Sequence, residues 1–246
     1  MNIIYNHIVE RSRKKKKSFC WLIDPDKCNS KVLLTRLKIA SKSKVDYIFI
    51  GGSLLVHNGI DEIIRIIKSE TEIPVILFPG NTMQVSKDAD GILFLSLISG
   101  RNPDYLIGRH VEIAPILKST GIEVIPTAYM LIDTGNPTTV SYISNTTPIP
   151  FQKTDIAIST AVAGELLGMK LIFLEGGSGA KVPVSNEMIA GVKANISIPL
   201  IVGGGIRTTE QLKQAYLSGA DLVVVGNIIE ENEKLISGFA EIAQQY

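Results

Sequence analysis

The sequence predicts an α/β fold of one domain, a single (β/α)8 barrel over residues 1–246, and three observations carry that expectation. The chain has 246 residues, close to the ~250 of one complete barrel. Short apolar runs rich in β-branched residues recur eight times, separated by stretches with helical spacing, which is how repeated βα units around a parallel sheet read in sequence. Glycine-rich segments close the last three runs, where a TIM barrel builds an anion site.

The strands are expected at 18–23, 46–50, 75–78, 91–95, 123–127, 171–174, 200–202 and 222–225. Several are apolar at successive positions, because one face of a barrel strand fills the interior and the other meets the helices. In the first, Trp21 alternates away from Asp24 and should pack against helices. After the second, residues 61–69 carry apolar side chains at helical spacing. Between 79 and 90 there is hardly room for a full helix, so the third connection should be a loop or one short turn. The fifth connection, 133–153, is rich in Pro, Thr, Ser and Asn and reads as a long excursion before a helix around 155–167. Thr208 and Gln211 form a capping box that should open the helix running through Tyr216. Val45-Asp46 before the second strand is echoed by Ala220-Asp221 before the eighth.

With 45% hydrophobic and 20% charged residues the chain should hold an ordered core. A net charge of +1 provides no global field for nucleic acid, so anion recognition must be local. Cys20 and Cys28 lack the spacing of a disulfide framework or zinc site and read as buried or half-buried thiols. His7, His57 and His110 show no ligand spacing. The first ten residues are too polar for a signal peptide and no apolar run reaches ~18 residues, so a cytoplasmic location is expected. The basic run 11–17 reads as the solvated end of a first helix rather than a membrane contact.

The chemistry concentrates at strand ends. Val202-Gly203-Gly204-Gly205-Ile206-Arg207 and Val225-Gly226-Asn227 follow consecutive strands, where glycines let backbone N–H groups approach a phosphate and a helical turn opening near Asn227 adds its positive end. Glu175-Gly176-Gly177-Ser178-Gly179 supplies a third loop, with the Ser178 hydroxyl as a further donor. By the two-residue period, Leu171, Phe173 and Glu175 share a face, which puts Glu175 at the C-terminal mouth of the barrel. There it either takes the hydrogen bond or proton of a substrate hydroxyl or is merely paired with the next strand. Asp24, in Asp24-Pro25-Asp26-Lys27, faces the same way as Cys20 and Leu22. With the Ser53 hydroxyl of Gly51-Gly52-Ser53 it suits Mg²⁺, the alternative being a polar turn. Phe78-Pro79, Phe94-Leu95 and Tyr129-Met130-Leu131 should lie just past strands three, four and five. They would form a greasy half of the mouth that fits an amphiphilic substrate, or ordinary core.

These residues resemble the geranylgeranylglyceryl phosphate synthases and their bacterial heptaprenylglyceryl phosphate synthase relatives over nearly the whole chain. The most specific pieces are Leu22-Ile23-Asp24-Pro25-Asp26-Lys27, Gly51-Gly52-Ser53, Asn102-Pro103-Asp104-Tyr105-Leu106-Ile107-Gly108 and Phe173-Leu174-Glu175-Gly176-Gly177-Ser178-Gly179. The resemblance implies transfer of a prenyl chain from a polyprenyl diphosphate to the C3 hydroxyl of sn-glycerol 1-phosphate, with Mg²⁺ as cofactor. It implies Asp24 and Ser53 as metal ligands, and Phe173, Leu174, Glu175, Gly176, Gly177, Ser178 and Gly179 with Gly204, Gly205, Gly226 and Asn227 as the glycerol phosphate site. Glu175 would deprotonate the glycerol hydroxyl, and Tyr129 would face the allylic carbon or orient the glycerol. The chain departs from the family in having Phe173 where tyrosine is frequent, Leu22 where one branch has lysine, and Thr127-Ala128 in place of Glu-Gly. The pattern is closer to the branch that uses a twenty-carbon chain. The family also commonly replaces the third barrel helix with a loop, forms homo-oligomers (dimers or hexamers), and handles lipid chains that imply peripheral membrane contact.

Two other readings share the barrel. Phosphoribosyl isomerases need two phosphate sites and paired carboxylates, whereas Thr127, Ala128 and Tyr129 close the fifth strand here and no second triple-glycine loop stands in the first half. A non-enzymatic phosphate binder would not require Asp24 and Glu175 across one mouth.

Overall fold

The computed structural model describes residues 2–53 and 59–246. In chain order the elements are α1 (Ile3–Arg13), β1 (Ser18–Ile23), α2 (Ser30–Lys42), β2 (Tyr47–Ile50), α3 (Ile60–Glu70), β3 (Val75–Leu77), β4 (Gly91–Leu97), α4 (Arg109–Thr120), β5 (Glu123–Leu131), α5 (Thr139–Ser144), α6 (Thr154–Leu166), β6 (Leu171–Glu175), α7 (Asn186–Asn195), β7 (Leu200–Gly203), α8 (Thr209–Leu217), β8 (Leu222–Val225), α9 (Asn227–Glu231) and α10 (Leu235–Gln244). The eight strands pair in sequence order, all parallel, and β1 closes on β8 through the register Ser18↔Leu222 to Trp21↔Val225. The expected (β/α)8 barrel is the observed one. His57 lies outside the described residues.

Strand alternation builds two apolar layers. Cys20, Tyr47, Phe49, Leu93, Phe173 and Ile201 are among the residues that fill the interior, while Trp21, Ile48, Ile92, Met130 and Leu174 face the helices. The interior is closed at the N-terminal end by α1, whose Ile4 and Ile8 join the inner layer. Glu123 holds that helix in place, its carboxylate accepting the N–H groups of Ile4 and Tyr5 at 2.8 Å each. The basic run at the end of α1 is not uniformly solvated. Arg11 is docked against Ser18 Oγ at 2.7 Å and Asp46 at 3.1 Å, which leaves Arg13 to Lys16 exposed.

The echo between Asp46 and Asp221 has a structural cause. Each sits just before a strand and accepts an N–H at the start of the preceding strand, Asp46 from Phe19, the second residue of β1, and Asp221 from Leu200, the first of β7, both at 2.8 Å; Asp90 does the same for Val75, the first of β3. Their carboxylates satisfy donors that would otherwise be buried without partners. The capping box at Thr208 and Gln211 is formed and opens α8.

Four strands run past the ends the sequence predicts, β6 and β7 by one residue and β4 and β5 by more. β4 runs to Leu97 and β5 to Leu131, because β5 pairs with β4 as far as Leu97↔Tyr129 and with β6 as far as Leu131↔Glu175. Phe94-Leu95 and Tyr129-Met130-Leu131 therefore lie inside strands, not past them; only Phe78-Pro79 lies beyond its strand. The segment 78–90, described throughout, holds no helix, so the outer side of β4 meets a loop there. After β5 the chain returns over the mouth as α5, opened by a Thr138–Ser141 capping box and tied down where Asn102 Nδ2 donates to Ser144 O at 2.6 Å.

Candidate active site

At the C-terminal end of the strands is a cavity of about 540 Å³ lined by Asp24, Ser53, Tyr129, Glu175, Gly177, Ser178, Gly179, Gly204, Gly205, Gly226 and Asn227, with Lys27, Arg207 and Glu230 among its further walls. Residues from seven of the eight strands or the loops that follow them thus converge, although they are far apart in sequence. Phe173, Leu174 and Gly176 do not line it. Leu174 faces the helices, Phe173 is fully buried one layer below, and the Gly176 N–H is engaged by Gly203 O at 2.9 Å.

One side of the cavity is a cradle of backbone. Asn227 Nδ2 donates to Ser178 Oγ at 3.1 Å, joining the loop after β6 to that after β8. Gly204, at φ +81°, could not be replaced: a Cβ there would come within 2.6 Å of Glu175 Oε1 and 2.7 Å of the amide nitrogens of Gly176 and Gly177. The loop after β7 is thus pressed against the loop after β6, and only a residue without a side chain permits it.

Glu175 ends β6 and stands between this cradle and the aromatic floor. Its Oε1 accepts the Gly177 N–H at 2.7 Å. Burial pushes its carboxyl up to about 7 against the lesser, opposing effect of that hydrogen bond. It is a carboxylate poised to take a proton near neutrality. Beside it, burial and then the Glu175 charge push the Tyr129 phenol up, so Tyr129 keeps its proton. The floor is a triangle of rings: Phe78 stacks on Phe173 at 5.3 Å, Tyr129 meets Phe173 edge-on at 5.5 Å, and Phe78 lies 5.9 Å from Tyr129. Phe173 is fully buried in this triangle, where its ring packs against both neighbours.

Across the mouth Asp24 accepts the Asp26 N–H at 3.1 Å through Oδ1, and its Oδ2 is 3.3 Å from Lys27 Nζ. Lys27 also reaches Glu230 at 3.7 Å. Burial raises the Glu230 carboxyl while Lys27 lowers it and Asp24 raises it. Among the described residues no three His, Cys, Asp or Glu side chains form a metal-holding group. One carboxylate and one hydroxyl, both hard oxygen donors, match an ion that keeps water and takes phosphate oxygens from its substrate.

A second, apolar hollow of about 120 Å³ joins the cavity. Gly52, Ser53, Phe78, Tyr129 and Val140 line both, and from them it runs between the loop 79–85 and α4 past Phe94, His110 and Ile113. Phe94 lies on the outer face of β4, so this groove exists because no helix covers that face. His110 is held there by Ser96 at 3.1 Å and sits edge-on to Phe94 at 4.5 Å. Lys27 and Arg207 belong to motifs already legible in the sequence. Val140 and Gln84 carry no sequence signal of their own, because α5 and the loop after β3 reach the mouth only through the fold.

Comparison with known proteins decides the family. The model of the PcrB family matches residues 10–243. The chain belongs to the PcrB family. Its relatives include the geranylgeranylglyceryl phosphate synthase of Chitinophaga pinensis, 53% identical over 98% of this chain and 95% of the relative. The synthase of the same name from Pyrococcus horikoshii is 42% identical over 94% of this chain and 91% of that one. Among solved structures, (S)-3-O-geranylgeranylglyceryl phosphate synthase from Thermoplasma acidophilum, in complex with sn-glycerol-1-phosphate, superimposes with a TM-score of 0.93 at 32% identity over the full length of both chains. The tryptophan synthase alpha chain of Legionella pneumophila, 16% identical with a TM-score of 0.59, shares the barrel alone.

Proposed function

We propose that this PcrB-family chain transfers a polyprenyl group, the twenty-carbon geranylgeranyl, from its diphosphate to the C3 hydroxyl of sn-glycerol 1-phosphate. The observation that carries the reading is the junction at Tyr129, Phe78 and Ser53, where a polar anion cradle meets an apolar groove. A water-soluble phosphate and a lipid chain would meet at that point and nowhere else among the described walls.

The backbone cradle of the β6, β7 and β8 loops holds the glycerol phosphate and presents its C3 hydroxyl to Glu175. Glu175 accepts the hydroxyl proton as the C3 oxygen forms its bond to the allylic carbon, and the bond from that carbon to the diphosphate oxygen breaks. Tyr129, buried with its ring toward the junction, excludes water from the allylic carbon and places its π-face beside developing positive charge. Mg²⁺ held by Asp24 and Ser53 would offset charge on the departing diphosphate.

Oligomer formation and peripheral membrane contact belong to the same proposal. Exposed Ile107 just before α4 and Val111 and Ile116 along it, with Leu166 and Leu167 at the end of α6, support a homo-oligomer, a dimer or hexamer. No helix among the described residues is long and apolar enough to cross a membrane, and a cytoplasmic enzyme meeting its lipid at a surface is the arrangement proposed.

The test is incubation with radiolabelled sn-glycerol 1-phosphate, Mg²⁺ and polyprenyl diphosphates of several lengths, alongside Asp24→Asn and Glu175→Gln. Label passing into an organic-extractable ether, lost in both variants, supports the proposal. Folded protein yielding no ether with any donor overturns it. A phosphoribosyl isomerase is disfavoured because the groove opening from the cavity past Phe94 and Ile113, where a second phosphate would have to sit, is apolar.

A further inference from the structure

The chain leaving β2 crosses the chain leaving β3 at contact distance, at the corner shared by the cavity and the groove. A Cβ on Gly80 would come within 2.2 Å of Gly52 O and 2.8 Å of the Ser53 backbone, and one on Gly51 within 2.1 Å of Phe78 O. No side chain fits into the crossing itself, so packing by these residues does not hold it.

Gln84 holds it from the loop that stands in place of the third barrel helix. Its side chain is 2% exposed. Nε2 donates to Gly52 O at 2.8 Å, while Oε1 accepts the N–H groups of Gly52 at 3.2 Å and Gly80 at 3.1 Å. One amide thus satisfies three backbone groups on two strand exits. Only a side chain with both a donor and an acceptor at this length can do so. Methionine would leave all three groups without partners in a buried place, and glutamate would keep the acceptor but lose the donor to Gly52 O.

The two exits carry parts of the site with different duties. Gly52 and Ser53 line both hollows, and Phe78 through Thr82 wall the groove. We propose that Gln84 is a positioning residue that sets the Ser53 hydroxyl opposite Asp24 and holds the groove wall in register with it. One side chain would then determine both the metal corner and the entry of the prenyl chain. Errors of an ångström at such a support are enough to cost about 10²-fold in rate. The inference rests on the prenyl-transfer reading of the site.

The experiment compares the wild-type chain with Gln84→Met and Gln84→Glu. Mn²⁺ binding in the presence of inorganic diphosphate is titrated by electron paramagnetic resonance, sn-glycerol 1-phosphate binding by calorimetry, and KM for the prenyl donor by radiolabel transfer. The expected result for Gln84→Met is a loss of Mn²⁺ affinity of roughly tenfold or more and a similar rise in donor KM. Glycerol phosphate affinity should stay within about twofold, since that ligand sits on loops Gln84 does not touch. Gln84→Glu should fall between the two, and it carries the test if Gln84→Met does not fold. Unchanged Mn²⁺ affinity and donor KM would overturn the proposal, as would an equal fall in affinity for all three ligands, which marks a loosened fold. A wild-type chain that makes no ether would overturn the proposed function instead, with the Mn²⁺ titration still deciding on Gln84.

Discussion

Replacing Glu175 with glutamine removes a buried ionisable group while keeping an oxygen to accept the Gly177 N–H. Burial raises this carboxyl from 4.5 to about 7, a difference that corresponds to about 3 kcal/mol between the two protonation states. Between those pH values the folded chain keeps a proton that the unfolded chain has already lost. The group's favourable contribution is therefore fully present below pH 4.5 and is lost as pH rises through about 7. Glutamine has no proton to lose, so the Glu175→Gln variant should gain about 3 kcal/mol on the wild type between pH 4.5 and pH 8. For a chain of this size that is a relative rise in Tm of roughly 6–12 °C, read by thermal unfolding of both proteins across the pH range. In the same variant the transfer rate should fall by about 10²–10⁴, while the wild-type rate should climb with pH through an apparent value near 7. A Tm difference that stays constant with pH, or a wild-type rate profile with no titration near neutrality, would refute the assignment of Glu175 as a buried general base.

Gly204→Ala should abolish measurable glycerol phosphate binding by calorimetry, because the new methyl lies 2.6 Å from Glu175 Oε1. Gly121→Ala, at φ +73° but in open space, should cost about 1 kcal/mol of stability and leave binding intact. Tyr129→Phe keeps the ring triangle and the π-face at the junction, so Tm should hold within a few degrees and kcat within about threefold. Tyr129→Ala should instead cost about 3–5 kcal/mol by opening a cavity against Phe78 and Phe173, visible in denaturant unfolding. Ile113→Trp should narrow the groove beyond His110, so that transfer from a twenty-carbon donor falls while a shorter donor is still used, as product analysis across donor lengths would show.

Much of the site was legible in the sequence because a barrel turns linear position into spatial position by rule. A residue at the end of a strand, on the parity of the interior, must arrive at the mouth; that logic placed Asp24 and Glu175 without coordinates. It also placed the cradle, since glycines after consecutive strands become neighbours. It does not reach Phe94, whose place in the apolar groove contradicts its outward parity. Phe94 reaches ligand space only because the neighbouring connection lacks a helix. Strand ends are the other limit: Tyr129, expected just past the fifth strand, lies inside it, because the length of β5 depends on how far β4 and β6 continue to pair with it.

The sequence by itself determined the barrel, the order of its strands, the position of the anion cradle and the two carboxylates at the mouth. These follow from a periodicity of two, from glycine and from helix caps, all of which are local. Only the tertiary structure decided that Glu175 is buried enough to titrate near neutrality, that Phe173 is buried in the aromatic floor, that α5 roofs the junction, and that Gln84 clamps two strand exits. Each of those depends on which distant segments exclude water or supply a hydrogen-bond partner, and solvent exclusion is a property of the assembled chain that no local pattern records.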